Sequence, residues 1–142
     1  MNTTDEHCLK ICNGLLRGEL SAVESYGRVI EMIDSSSAKE GLQRISNEHS
    51  QSARWLSALV RAMNGIPEKN SAVWGQVPGG QIRTEVAVQI LRSGEVSVRN
   101  GYQRALLDDE VLTDCKLMIR EDILPKVIRH IDFLERLHLE VP

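Results

Sequence analysis

Two glutamates interrupt apolar helical patterns at equivalent places in a repeated segment. Residues 18–28 read "GELSAVESYGR" and residues 94–104 read "GEVSVRNGYQR", with Gly, Glu, Ser, Tyr and Arg recurring in register. Glu19 falls within a stripe of Cys8, Cys12, Leu15, Ala22, Tyr26, Val29 and Ile33, spaced alternately by four and three. Glu95 falls in the same way among Val88, Leu91, Val98, Tyr102 and Ala105. An ionised carboxylate inside a core costs several kcal/mol unless something pairs with it. His130, the polar member of the stripe Ile123, Val127, Leu134, Leu137 and Val141, is a candidate partner. Carboxylates and an imidazole on inward seams are metal-ligand types, and the repetition strengthens that reading. The plainer alternatives are a seam-edge glutamate with its head in water and a hydrogen-bonded core histidine.

Between Glu19 and His130, the segment around residues 45–63 offers two seams. Ile45, Glu48, Ser52, Trp55 and Leu59 form one; Ile45, His49, Ser52, Leu56 and Met63 form its neighbour. Either Glu48 or His49 fits an inward position, with Glu48 the better match to the Trp55 stripe. His7, His49 and His138 are assigned to surface or helix-end positions. Tyr26 and Tyr102 follow their own glutamates at i+7, on the same face. Each phenol is placed to hydrogen-bond the glutamate of the other repeat and fix its orientation; as the alternative, both are large core fillers with a polar tip. Ser21 and Ser97 also recur, but no base accompanies them, so nucleophilic catalysis is unsupported. "VPGGQ" lacks the lysine of a phosphate loop.

Four helices must carry these residues, expected at about 4–33, 37–64, 81–107 and 110–140. Capping-box patterns begin at Thr3 and Ser37, and Asn64-Gly65 with Pro67 beyond forms a stop. Short joints make helices one and two, and three and four, antiparallel neighbours. The 16 residues 65–80, "GIPEKNSAVWGQVPGG", extend to about 50 Å, enough to cross a bundle, since a helix of about 25 residues is about 38 Å long. Trp74 is expected to anchor this crossover. The result is a single all-α domain, two hairpins joined by one long crossover, which is the ferritin-like topology. Pro125 is expected to kink helix four or divide it in two.

The totals agree with such a bundle. The 142 residues are 42% hydrophobic with four prolines and one phenylalanine. A formal net charge of -3 and a pI near 5.8 argue against nucleic acid or an anionic membrane as the main partner. No apolar run spans a bilayer and no signal-peptide layout is present, giving a cytoplasmic expectation. Three cysteines imply no disulfide framework and are read as small buried hydrophobes.

"LLRGELSAVESY" resembles the first helix of bacterioferritins, "HIDFLERL" resembles the end of their fourth, and "GIP" resembles the start of their crossover. The crossover "NGIPEKNSAVWG", the "SGE…GY" of helix three and the late "RHIDFL" are similar to a bacterial ferritin-like family of unknown function. The resemblance implies a di-iron carboxylate pattern: one Glu from each of helices one and three, and Glu-x-x-His from each of the others. Glu19, Glu48, Glu95 and His130 match it, while Gln51 stands where a histidine belongs and Val127 where the bridging Glu belongs. Tyr26 and Tyr102 are its supporting partners. The expected function is a ferritin-like bundle with a degenerate di-iron-type site that is empty or vestigial. The alternative is a mononuclear or asymmetric carboxylate/histidine site, redox-active in one version, holding one iron, manganese or zinc ion. A homodimer follows from the resemblance alone.

Overall fold

The computed structural model describes residues 3–74 and 83–140. Helices α1 (Thr3–Met32), α2 (Ser36–Ala62) and α3 (Thr84–Leu107) are continuous. The fourth segment is divided into α4 (Thr113–Met118), a π-turn over Ile119–Ile123 and α5 (Leu124–Glu140). Packing is most extensive between α1 and α2 and between α3 and α5, as two hairpins joined by a crossover require. No described helix is long and apolar enough to cross a membrane. The helix start expected at residue 81, the "VPGGQ" stretch and the His138 side chain lie outside what is described.

Local chemistry sets the ends. The N-cap of α2 is Ser35, whose hydroxyl accepts from Ala38 N–H at 3.3 Å. The expected cap Ser37 is instead inside the first turn. At the other end Asn64 adopts φ 63, its N–H bonds Arg61 O and Gly65 N–H bonds Val60 O, both at 2.9 Å. That is the Schellman closure, with Asn tolerating the left-handed position. Pro125 acts one turn ahead of itself. A proline inside a helix strips one N–H and presses its ring on the carbonyl four residues back. Leu124 N–H bonds Ile119 O, five residues back, and the helix restarts with Pro125 in its first turn, where a missing N–H costs little.

The crossover is held along α1 by polar groups of that helix. Asn13 receives Glu68 N–H at 2.8 Å and donates to Ile66 O at 3.1 Å. Ser21 Oγ accepts from Ala72 N–H at 3.0 Å, and Ser25 Oγ from Trp74 N–H at 2.9 Å. Both hydroxyls donate back to the carbonyl four residues earlier, a bond open to serine in a helix. Backbone donors that the crossover would otherwise leave unsatisfied are thus paired. Trp74 ends this run with its indole against Gly94, where any Cβ would collide with the ring. That contact accounts for the glycine of the second repeat.

Two apolar clusters fill the bundle. One gathers Cys8, Cys12, Leu16, Leu56, Val60, Ile119, Ile123 and Val127; the other gathers Ala22, Val29, Leu42, Ile45, Val88, Leu91 and Leu134. Between them lies a layer of buried polar side chains: Glu19, His49, Glu95 and His130.

Candidate metal centre

Each helix pair contributes to this layer through its seam. Glu19 and Glu95 are fully buried, as their places in the apolar stripes imply, and His130 is 3% exposed. The residue that departs from expectation is His49. It is 1% exposed and lies at the centre of the layer, not at a surface or helix end. The second seam of α2 is the inward one, since Ile45, Ser52 and Leu56 are buried beside it. Gln51 is exposed, and Val127 is buried in one apolar cluster, so neither supplies a ligand. Glu48 sits at the rim with its side chain 34% exposed. His7 lies near the bundle end, paired with Asp108 at 2.7 Å.

The polar groups form one continuous chain. Tyr102 donates to Glu19 Oε1 at 2.6 Å, and His49 Nδ1 lies 2.5 Å from Glu19 Oε2. The other ring nitrogen, Nε2, bonds Glu95 Oε1. Tyr26 donates to the same Glu95 oxygen at 3.3 Å. His130 continues the chain, with Nδ1 3.2 Å from Glu95 Oε2 and Nε2 2.8 Å from Glu48 Oε1. Each tyrosine therefore serves the glutamate of the other repeat. The His49 and His130 rings lie 4.8 Å apart, and Trp74 meets both Tyr26 and His49 edge-on, at 6.0 and 6.4 Å. The crossover thus covers one side of the layer with an indole.

Why His49 rather than Glu48 turns inward follows from the charges. Glu19 and Glu95 are both fully buried, and a second pair of acceptors there would only add repulsion. An imidazole between them offers an N–H to each. Burial alone lowers the imidazole pKa, but the charges of Glu19 and Glu95 and their hydrogen bonds outweigh it and raise His49 to about 10. Burial likewise opposes ionisation of Glu95, yet His49 and His130 hold its carboxyl at about 2. Burial first, then the adjacent carboxylates, pushes both tyrosines well above the usual phenol range, so they remain donors.

The donor set also fits a metal. His49, Glu95 and His130 can each present one ligand atom, and these atoms all lie within 4.8 Å of one another. Ligands about 2.0–2.2 Å from an ion stand up to about 4.4 Å apart, so a small inward adjustment suffices. Val127 has no oxygen to bridge with, Gln51 faces solvent, and Glu19 is engaged by Tyr102 and His49.

Helices in two hairpins, a long crossover and a Glu/His layer across the core define a ferritin-like bundle. A crystal structure of "ferritin like, diiron-carboxylate proteins" from Bacillus anthracis str. Ames superposes with a TM-score of 0.84. The alignment covers 97% of this chain and 99% of that one, at 16% identity, so the likeness is one of fold. The signature of the Domain of unknown function (DUF2383) family matches residues 8–108, and the chain belongs to that family. Comparison with curated proteins gives no match.

Proposed function

We propose that this bundle binds a single divalent transition-metal ion through His49, Glu95 and His130, in an asymmetric remnant of a two-metal ferritin-like site. The observation that carries the reading is the convergence of those three buried ligand atoms within 4.8 Å. Two imidazoles and one carboxylate suit iron, manganese or zinc, which supply redox or Lewis-acid chemistry when bound. His49 binds through Nε2 only after releasing the proton that this nitrogen donates to Glu95, so uptake of the ion and loss of that proton are linked. Glu19, steadied by Tyr102, then orients the His49 ring through Nδ1. Glu48, the one partly exposed member, approaches His130 from the solvent side. The diiron-carboxylate description of the Bacillus anthracis structure supports a metal-related ancestry. The reading further takes the chain as a cytoplasmic homodimer that does not bind nucleic acid, the last in keeping with its net charge of -3.

A second reading rests on His49 itself. Bonded to Glu19 and Glu95 at its two ring nitrogens, it leaves the layer satisfied without any ion, as a vestigial polar core would be. Metal analysis of protein purified without a chelator, beside a Glu95→Ala variant, separates the two. Near-stoichiometric iron, manganese or zinc that disappears in the variant supports the metal reading. Protein that is metal-free and takes up none of these ions when they are added supports the vestigial core instead.

A further inference from the structure

Away from the Glu/His layer, the faces of α1 and α3 leave a groove of about 620 Å³ between them. That volume lies in the range of small-molecule sites, about 300–1,000 Å³. Its apolar lining is Ile11, Leu15, Trp74, Val98 and Ala105, together with the fully buried Tyr102. Three lining positions are glycines inside helices: Gly14, Gly18 and Gly101. Glycine weakens a helix interior, and it is normally explained by a neighbour needing the space. Among the described residues no neighbour needs it here. A Cβ at Gly14 would meet nothing within 4 Å, and at Gly18 and Gly101 the nearest atoms would be 3.9 and 3.5 Å away. Gly94, filled by Trp74, and Gly41, filled by Phe133, mark the contrast.

Along the groove the cationic side chains outnumber the carboxylates. Lys10 and Arg104 both line it and are both exposed. Asp108 is the one carboxylate among the described lining residues, and His7 engages it at 2.7 Å. An apolar trough with a cationic mouth, on a chain of net charge -3, is complementary to an amphiphile with an anionic head.

We infer that the α1/α3 groove binds an organic carboxylate with an elongated apolar body, its head at Lys10 and Arg104 and its body over the glycine-lined trough. The site does not depend on metal in the Glu/His layer. Tyr102 connects the two, since it borders the trough while its hydroxyl holds Glu19.

Decanoate and the uncharged decanol serve as probes, each measured by competition with a fluorescent anilinonaphthalene sulfonate on the full chain. The expected result is saturable decanoate binding below its micelle concentration, with decanol weaker. Lys10→Glu/Arg104→Glu should weaken decanoate by roughly tenfold, the effect of reversing two exposed charges, and leave decanol unchanged. Gly14→Leu should abolish binding of both while keeping the thermal midpoint at or above that of the wild type, because the new side chain enters open space. Absence of saturable decanoate binding overturns the inference, as does equal binding of both probes that ignores the charge reversals. Sedimentation of the same variants provides a further check. A wild-type dimer that Gly14→Leu converts to monomer would assign the groove to a second copy of the chain and overturn the inference too.

Discussion

Replacing His49 by leucine keeps the approximate volume and removes the one group that bonds both Glu19 and Glu95. The rise of the imidazole from its ordinary 6.5 to about 10 corresponds to about 5 kcal/mol of native-state stabilisation. Breaking a buried pair by deleting one partner costs about 3–5 kcal/mol, in line with that figure. At roughly 2–8 °C per kcal/mol for domains of this size range, the midpoint should fall by about 10 °C or more at neutral pH. The pH dependence carries a sharper signature. His49 has its pKa raised on folding, so its contribution is complete below pH 6.5 and is lost as the pH rises towards 10. Glu95 has its pKa lowered, so its contribution is present above pH 4.5 and is lost as the pH falls towards 2. Chelator-treated wild type should therefore be most stable between these limits and weaken on both sides. In His49→Leu the alkaline loss should vanish, and mild acid should stabilise the variant by protonating a carboxylate left without its partner. Urea unfolding of both proteins across pH measures this. A cost below about 1 kcal/mol with an unchanged alkaline limb would refute the reasoning, because it would mean that Glu19 and Glu95 do not depend on that imidazole.

Other perturbations test the supporting parts. Tyr102→Phe deletes the donor to Glu19 at 2.6 Å and should cost about 1.5–3 kcal/mol in urea unfolding, as expected for a hydrogen bond to a charged group. Gly94→Ala drives a Cβ into the Trp74 indole, which must move out; the tryptophan emission should shift to longer wavelength while the far-ultraviolet helix signal stays unchanged. Ser25→Ala removes the acceptor of Trp74 N–H and should cost about 1–3 kcal/mol, with hydrogen exchange at that amide accelerated.

The sequence carried the architecture because each seam is regular and each joint is short. The repeated Gly-Glu pair located Glu19 and Glu95, and the i+7 tyrosines indicated the cross-repeat bonds that the two phenols make. The orientation of α2 was not legible in the same way. Two seams one residue apart share Ile45 and Ser52, and the aromatic Trp55 favoured the wrong one. What decides between them is the pair of carboxylates on other helices, whose need for a donor turns His49 inward, and no local pattern in α2 records that. The helix-four break was legible only as a position, since Pro125 signals an interruption while the π-turn that absorbs it falls at Ile119–Ile123. Ser21 was visible as a recurrence, but its task of fastening the crossover, shared with Ser25, depends on a segment some 50 residues away in sequence.

The central claim is that His49, Glu95 and His130 hold one ion per chain. Anaerobic titration of metal-free protein with Co(II), followed by its visible absorption and by quenching of Trp74 beside His49, tests it most directly. One equivalent should bind, release protons, and be lost in His49→Leu, Glu95→Ala and His130→Ala alike. Uptake of two equivalents, or of none, or of one that survives all three substitutions, would contradict the account.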